Sequence, residues 1–285
     1  MASDWFNTLW KKRIPTTVNT SQVPSTQTNF PLLINSIFPE LIGATLDELR
    51  FAGVDKVQLG YEIQKFDSIT GELIAWVRKP TISDNDITYI YYDNPAVVDE
   101  QDPASVWNIN YKAVYHGQND GKDSTFNPQQ LTQFGTAQTP VPGKIGNGMN
   151  YGGTVSDYSI RNPFDGFPSI AITAEYWIKT LGAGDGMVSY AVGGFGFDDH
   201  FLTATQENLQ VFLQNVGVNV LVNFSDGLFH HIVVTWRSSD GQFITYVDGV
   251  SIFSVISQIG ATFTANGSLV LGQDQDNVGG GFDGT

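Results

Sequence analysis

The sequence predicts an all-β protein, on three observations. Glycine is abundant (30 of 285 residues) and aromatic residues make up 13% of the chain. Charged residues supply only 15%. Short runs of β-branched and aromatic residues recur between Gly, Pro, Asn and Asp turn signals, while long 3.6-residue patterns are scarce. A chain of this length suits two domains or one large β unit, and it buries a sizeable core without covalent staples.

Charge and cysteine content narrow the function. The formal net charge of −15 argues against nucleic acid as a partner, because phosphate binding needs Lys and Arg. Cysteine is absent, which removes disulfides and thiolate metal sites. The start, Met1-Ala2-Ser3-Asp4-Trp5, lacks a charged-then-apolar leader pattern, and no apolar run reaches the length of a membrane span. The expectation is a soluble chain made in a reducing compartment, or one whose leader has been removed.

Residues 1–100 read as an N-terminal β domain, an attachment or spacer element. Trp5, Phe6 and Trp10 flank a basic patch, Lys11-Lys12-Arg13. Residues 14–18 and 30–34 are short strands, and 45–51 is one helical turn leading into a strand. Residues 57–66, 73–79 and 87–92 are three further strands, the first alternating apolar with polar side chains and followed by a turn at 67–71. The order of these segments, with "PLLI", "YEI…WVRKP" and "ITYIYYDNP", resembles a bacterial and phage domain of unknown function that commonly precedes laminin-G-like lectin domains. Its aromatic residues are read as packing rather than as a binding platform.

From Ser105 the composition shifts, and residues 105–285 form the second domain. Val106-Trp107 and residues 111–116 look like the entry of a concanavalin-type sandwich. Residues 144–153 and 157–160 fit a hairpin, and 170–179, 187–191, 209–213 and 218–222 continue the sheets. His231-Ile232-Val233-Val234-Thr235-Trp236-Arg237-Ser238 then matches the pentraxin signature H-x-C-x-[ST]-W-x-[ST] everywhere except the cysteine, here Val233. The cysteine that pairs with it in that family falls near Ala174, so the resemblance implies a buried inter-sheet pair replaced by small apolar residues.

The chain closes on Leu271-Gly272-Gln273-Asp274-Gln275-Asp276-Asn277-Val278-Gly279-Gly280-Gly281-Phe282-Asp283-Gly284. By composition this is evenly a polar, Gly-rich surface loop or a cluster of oxygen donors for a hard cation, which takes six to eight oxygens. The stretch is similar to the pentraxin calcium loop almost residue for residue. That resemblance implies a jelly roll with a double calcium site held by Asp274, the carbonyl of Gln275, Asp276 and Asp283, with Asp198 and Asp199 from an upstream loop. Five carboxylates gathered from two loops repel one another without a cation between them. The same resemblance implies a further closing strand beyond Thr285, and a homo-oligomer.

Other chemistries find little support. His230-His231 point to opposite faces of a strand and cannot easily share one metal ion, so they read as structural. His116 and His200 are isolated, with His200 the one placed to touch a ligand near the calcium loop. Glycosidases need two carboxylates at a set separation, yet Glu175 and Glu207 stand alone in the sequence. No nucleophile elbow, P-loop or zincin helix occurs, and no enzyme activity is expected.

These readings combine into a calcium-dependent protein that binds a cell-surface glycan or a phosphate-bearing ligand. The expected setting is a phage virion surface, as a decoration, fibre or receptor-binding protein whose other partners are virion proteins or an extracellular scaffold. A structural virion protein with a calcium-rigidified loop, or a secreted bacterial adhesin, is the alternative.

Overall fold

The computed structural model describes residues 5–19, 23, 25–83, 85–118, 120–182, 186–193, 199–275 and 281–285, with the side chain of Asp199 excluded. The chain divides into two compact units, Met1–Val114 with Ser124–Asn127, and Tyr115–Asp123 with Pro128–Thr285.

The first unit holds β1 (Lys12–Thr17), β2 (Gln27–Ile37), β3 (Arg50–Gly53), β4 (Tyr61–Asp67), β5 (Glu72–Ile82) and β6 (Ile87–Tyr92). They form two three-stranded sheets, ordered β1-β6-β3 and β2-β5-β4. Alternation along the strands sends Ile34, Leu73, Ala75 and Val77 of one sheet and Phe51, Ile90 and Tyr92 of the other into one core. The helical turn expected before β3 is a 3-10 turn at Leu46–Glu48. Glu48 finishes it by accepting the Thr45 N–H at 2.7 Å and the Asn94 N–H at 2.9 Å.

Arg50 is the fully buried cation of this unit. Its guanidinium donates to Tyr61 Oη (3.1 Å) and to the carbonyls of Asp47 (2.7 Å), Leu49 (2.8 Å) and Val98 (2.6 Å). It also pairs with Glu100 at 3.1 Å. A buried charge needs this degree of pairing, because desolvation otherwise costs several kcal/mol. Trp107, placed by sequence at the entry of the second domain, packs in the first unit instead. Its ring meets Trp76 at 5.2 Å and its Nε1–H donates to the buried Glu62 carboxylate at 2.9 Å.

The second unit holds β7 (Thr132–Gln133), β8 (Pro140–Pro142), β9 (Asn147–Met149), β10 (Tyr151–Gly152), β11 (Ser159–Arg161), β12 (Ala171–Lys179), β13 (Val188–Ala191) and β14 (Asp199–Ala204). It continues through β15 (Gln210–Leu213), β16 (Val216–Asn219), β17 (Phe229–Arg237), β18 (Gln242–Val247), β19 (Val250–Ile256), β20 (Ser268–Leu271) and β21 (Asp283–Gly284). A seven-stranded sheet, β16-β15-β14-β13-β20-β11-β7, and a four-stranded sheet, β12-β17-β18-β19, make an antiparallel jelly-roll sandwich. Ile172, Ile178, Ile232, Val234, Trp236 and Phe243 are buried on the smaller sheet, and Tyr190, Phe201, Val211, Leu213 and Leu269 on the larger. Tyr176 Oη bonds Thr203 Oγ1 at 3.1 Å across the gap.

The register of β12 on β17 corrects one expectation. Val233 lies opposite Glu175, and Ala174 lies opposite Val234. Ala174 shares a side with the buried Ile172 and Ile178, whereas Val233 shares the other with Glu175 and Tyr246. The position that faces Val233 is therefore Glu175, within one sheet and on its outer surface, and not a buried inter-sheet Ala174.

Candidate functional site

Side-chain alternation in the larger sheet locates the site. Val188, Thr203 and Val211 form one row of paired residues, and Tyr190, Phe201 and Leu213 another. Both rows face the sandwich interior, as the bond from Thr203 to Tyr176 requires. The row between them, Val270, Ser189 and Leu202, therefore points to the outer face. The segment after β20 lies on that face. Ser189 Oγ donates to Asp274 Oδ1 at 3.3 Å and accepts the Gln275 N–H at 3.2 Å. Ser189 is wholly buried beneath this segment.

Close backbone approach shapes the loop. A Cβ at Gly186 would stand 2.6 Å from Asp274 N and 2.8 Å from the Gln273 carbonyl carbon, so only glycine fits there. The loop is pinched at its base, where the Phe282 N–H donates to the Gly272 carbonyl at 2.9 Å. β21 then pairs with β10, setting Asp283 opposite Gly152 and Gly284 opposite Tyr151. Thr180 Oγ1 donates to the Asp283 carbonyl, and Lys179 and Thr285 exchange backbone bonds of 2.7 and 2.9 Å. Asp283 itself is exposed, and its Cβ stands close to Gly182 and Gly153.

Of the six predicted ligands, Asp274, Gln275 and Asp283 are thus placed by named contacts. Asp198 and Asp276 lie outside the described residues. The backbone of Asp199 opens β14 opposite Ala191, two residues beyond Ser189. Among the described residues no three acidic or histidine side chains form a metal cluster. Two features nevertheless suit a hard cation. Gln273 is 6% exposed, and its Oε1 has no hydrogen-bond donor among the described residues. The two residues that follow it in sequence, Asp274 and Gln275, offer a carboxylate and a backbone carbonyl, oxygen donors of the kind that take Ca²⁺.

Ser189, Gln273 and Asp157 are residues that sequence reasoning passed over. Asp157 is 5% exposed and accepts the N–H groups of Thr136 (2.9 Å) and Gly152 (3.1 Å). Burial raises its pKa, but these backbone donors outweigh burial and hold it below the ordinary carboxylate value. It thereby fixes the strand against which Asp283 is paired. A buried Ser in an apolar strand and a Gln before the acidic run were the signals available.

The histidines have structural partners. His230 donates from Nδ1 to Asp248 at 2.7 Å and from Nε2 to Asp226 at 3.1 Å. Burial opposes the imidazolium, yet the bonds and negative charge of Asp248 and Asp226 outweigh it and raise the pKa above 6.5. His231 stacks on Trp177 with ring centroids 5.0 Å apart. His200 differs from expectation. It is buried, and its Nδ1 accepts the Thr264 N–H at 3.3 Å, so it belongs to the core beside Tyr190 and Phe263.

Comparison with known proteins follows this geometry. Residues 154–285 match the Pentaxin family, and residues 45–126 match a Domain of unknown function (DUF2341). The "Sushi, von Willebrand factor type A, EGF and pentraxin domain-containing protein 1" of Rattus norvegicus is 37% identical over 119 residues, 39% of this chain and 3% of that protein. The human neuronal pentraxin receptor is 30% identical over 124 residues, covering 40% of this chain and 24% of that protein. The chain therefore spans no more than a quarter of the length of either relative. Among solved structures, the native heptameric SAP-like pentraxin of Limulus polyphemus is 19% identical with a TM-score of 0.37, covering 54% of this chain and 71% of that one. Domains LG4-5 of the mouse laminin alpha1 chain are 15% identical with a TM-score of 0.38, covering 54% of this chain and 39% of that one.

Proposed function

We propose, on the premise that residues 154–285 are a domain of the pentraxin family, that this protein is a calcium-dependent ligand-binding protein. The observation that carries the reading is the segment lying over Ser189, where Asp274 directly follows Gln273, whose Oε1 is buried with no hydrogen-bond donor among the described residues. Asp274, the Gln275 carbonyl and Asp283 would hold the ion, with Asp198, Asp199 and Asp276 as the remaining donors. Bound Ca²⁺ supplies open coordination positions for the phosphate or hydroxyl oxygens of a ligand. The ligand class that we propose is a cell-surface glycan or a phosphate-bearing group. The first unit serves as attachment or spacer, and the setting is a virion surface, with a secreted adhesin as the competing setting.

Thermal unfolding in calcium and in chelator tests the ion. Calcium at about a hundred times its dissociation constant stabilises by roughly 2.7 kcal/mol, and an unchanged midpoint would sink the proposal. Glycan and phospho-ligand arrays, each run with and without chelator, test recognition. Calcium binding with silent arrays would leave the ion a structural role alone.

A further inference from the structure

Alternation along β12 turns Tyr176 and Ile178 to the sandwich interior, so Glu175, Trp177 and Lys179 stand on the outer face of the smaller sheet. Trp177 is 37% exposed there, and it stacks on its cross-strand neighbour His231. Trp10, Trp76, Trp107 and Trp236 each donate the indole N–H to a protein oxygen. That of Trp177 has no acceptor among the described residues. The Glu175 carboxylate and the ring nitrogens of His231 likewise make no hydrogen bond among them. An exposed ring bordered by unengaged polar groups does not suit a protein partner, whose contact patch is contiguous and depleted in charge at its centre. It suits a sugar, whose C–H edges pack on an aromatic ring while its hydroxyls take the donors and acceptors alongside.

Charge selects the kind of sugar. From Pro128 to Thr285 the Lys and Arg residues are Lys144, Arg161, Lys179 and Arg237, against a large excess of Asp and Glu. Arg161 pairs with Asp165 at 3.9 Å and Arg237 with Asp240 at 2.7 Å. Neither lysine has a carboxylate partner among the described residues. Lys144 Nζ stands 5.2 Å from the centre of the Trp177 ring instead, and Lys179 Nζ 5.5 Å from that of Phe229, its cross-strand neighbour. Both lysines of this acidic stretch thus lie beside one exposed indole. Glu175 and Lys179 stand two residues to either side of Trp177, which sets the carboxylate across the ring from Lys179. An anionic substituent at the lysine end meets two ammonium groups and an indole N–H, which are charge-assisted donors or close to them.

We propose that Trp177, Lys144 and Lys179 form a second ligand site, on the sheet face opposite the Ser189 loop, which binds a saccharide bearing a carboxylate or sulfate group without calcium. The test is calorimetric titration of the full chain in chelator with a polygalacturonate oligomer, a sulfated dextran oligomer and unmodified dextran of matched length. At least one acidic probe should bind about tenfold tighter than dextran and weaken as salt rises, because ion pairs are screened. Trp177→Ala should weaken that binding by about tenfold or more. The double variant Lys144→Ala with Lys179→Ala, at two exposed positions, should reduce it to the level of dextran with an unchanged unfolding midpoint. Lys122→Ala, at an exposed lysine elsewhere in the unit, should leave it unaltered. Binding of one acidic probe alone supports the site and identifies its anion. Silence of both acidic probes overturns the proposal, as does dextran bound as tightly as they are. So does binding that survives the double lysine variant, or that Lys122→Ala lowers equally. With calcium absent throughout, either result leaves the acidic loop to its own thermal test.

Discussion

Phe282 donates its backbone N–H to the carbonyl of Gly272 at 2.9 Å, closing the acidic loop at its base. That bond brings a residue from the end of β20 together with one beside β21. Within that stretch Asp274 is held on the outer sheet face by Ser189, and a cation beside it would offset its charge.

Removing the loop carboxylates should therefore weaken calcium binding without unfolding the sandwich. Asp274→Asn and Asp283→Asn should each weaken calcium affinity by about tenfold, a loss of ~1.4 kcal/mol, read by calorimetric titration. Midpoints in chelator should match or exceed the wild-type value, since like-charge repulsion has been reduced. Unaltered affinity in both variants would remove these two residues from the site.

Gly186→Ala acts on the same loop from beneath. Its Cβ would meet Asp274 N at 2.6 Å, so the backbone must shift, at a cost of about 1–3 kcal/mol. Chemical denaturation should show that loss, and the calcium-induced rise in midpoint should shrink with it.

His230 predicts a pH dependence. Its folded pKa is raised above 6.5, so the stabilisation is fully present below that value and is lost as pH rises through the folded pKa. Asp248 and Asp226 have lowered pKa values. For Asp248, burial pushes upward but the His231 N–H and His230 outweigh it, and for Asp226 the Leu228 N–H is the leading cause. Their contribution is present above 3.8 and lost as pH falls through the lowered values. The unfolding midpoint of wild type should fall on both flanks, and His230→Gln should flatten the alkaline one. An identical alkaline slope in the variant would show that another group titrates there.

In the first unit Arg50→Met should cost about 2–4 kcal/mol. It removes the donor shared by Tyr61 and three carbonyls and leaves buried acceptors unpaired. Urea denaturation monitored by the tryptophans of this unit reads the change.

The sequence was most legible where local chemistry and burial agree. The strand expected at 87–92 is Ile87–Tyr92, and the one expected at 170–179 is Ala171–Lys179. Ala171–Lys179 alternates buried or half-buried residues with exposed ones, whereas Ile87–Tyr92 is a β-branched and aromatic run covered on both faces. Residues 57–60 fell outside β4, although they continue its apolar alternation. Gln58 forms an isolated bridge with Ala52 instead, a pairing set by the partner strand rather than by the residue itself. Trp107 reads as an entry to the second domain, but its unit is decided by Glu62, 45 residues earlier in the chain.

The sequence alone determined the all-β class, the pentraxin likeness of the second unit, and the acidic Gly-rich loop as the candidate site. Composition, periodicity and motif order carry that information along the chain. Tertiary structure alone decided that Asp274 rests on Ser189, that Glu175 and not Ala174 faces Val233, and that His200 is core. Each depends on strand register, and a shift of one residue turns every side chain to the other face of its sheet. Register is fixed by pairing between distant segments, so no local reading of the residues contains it.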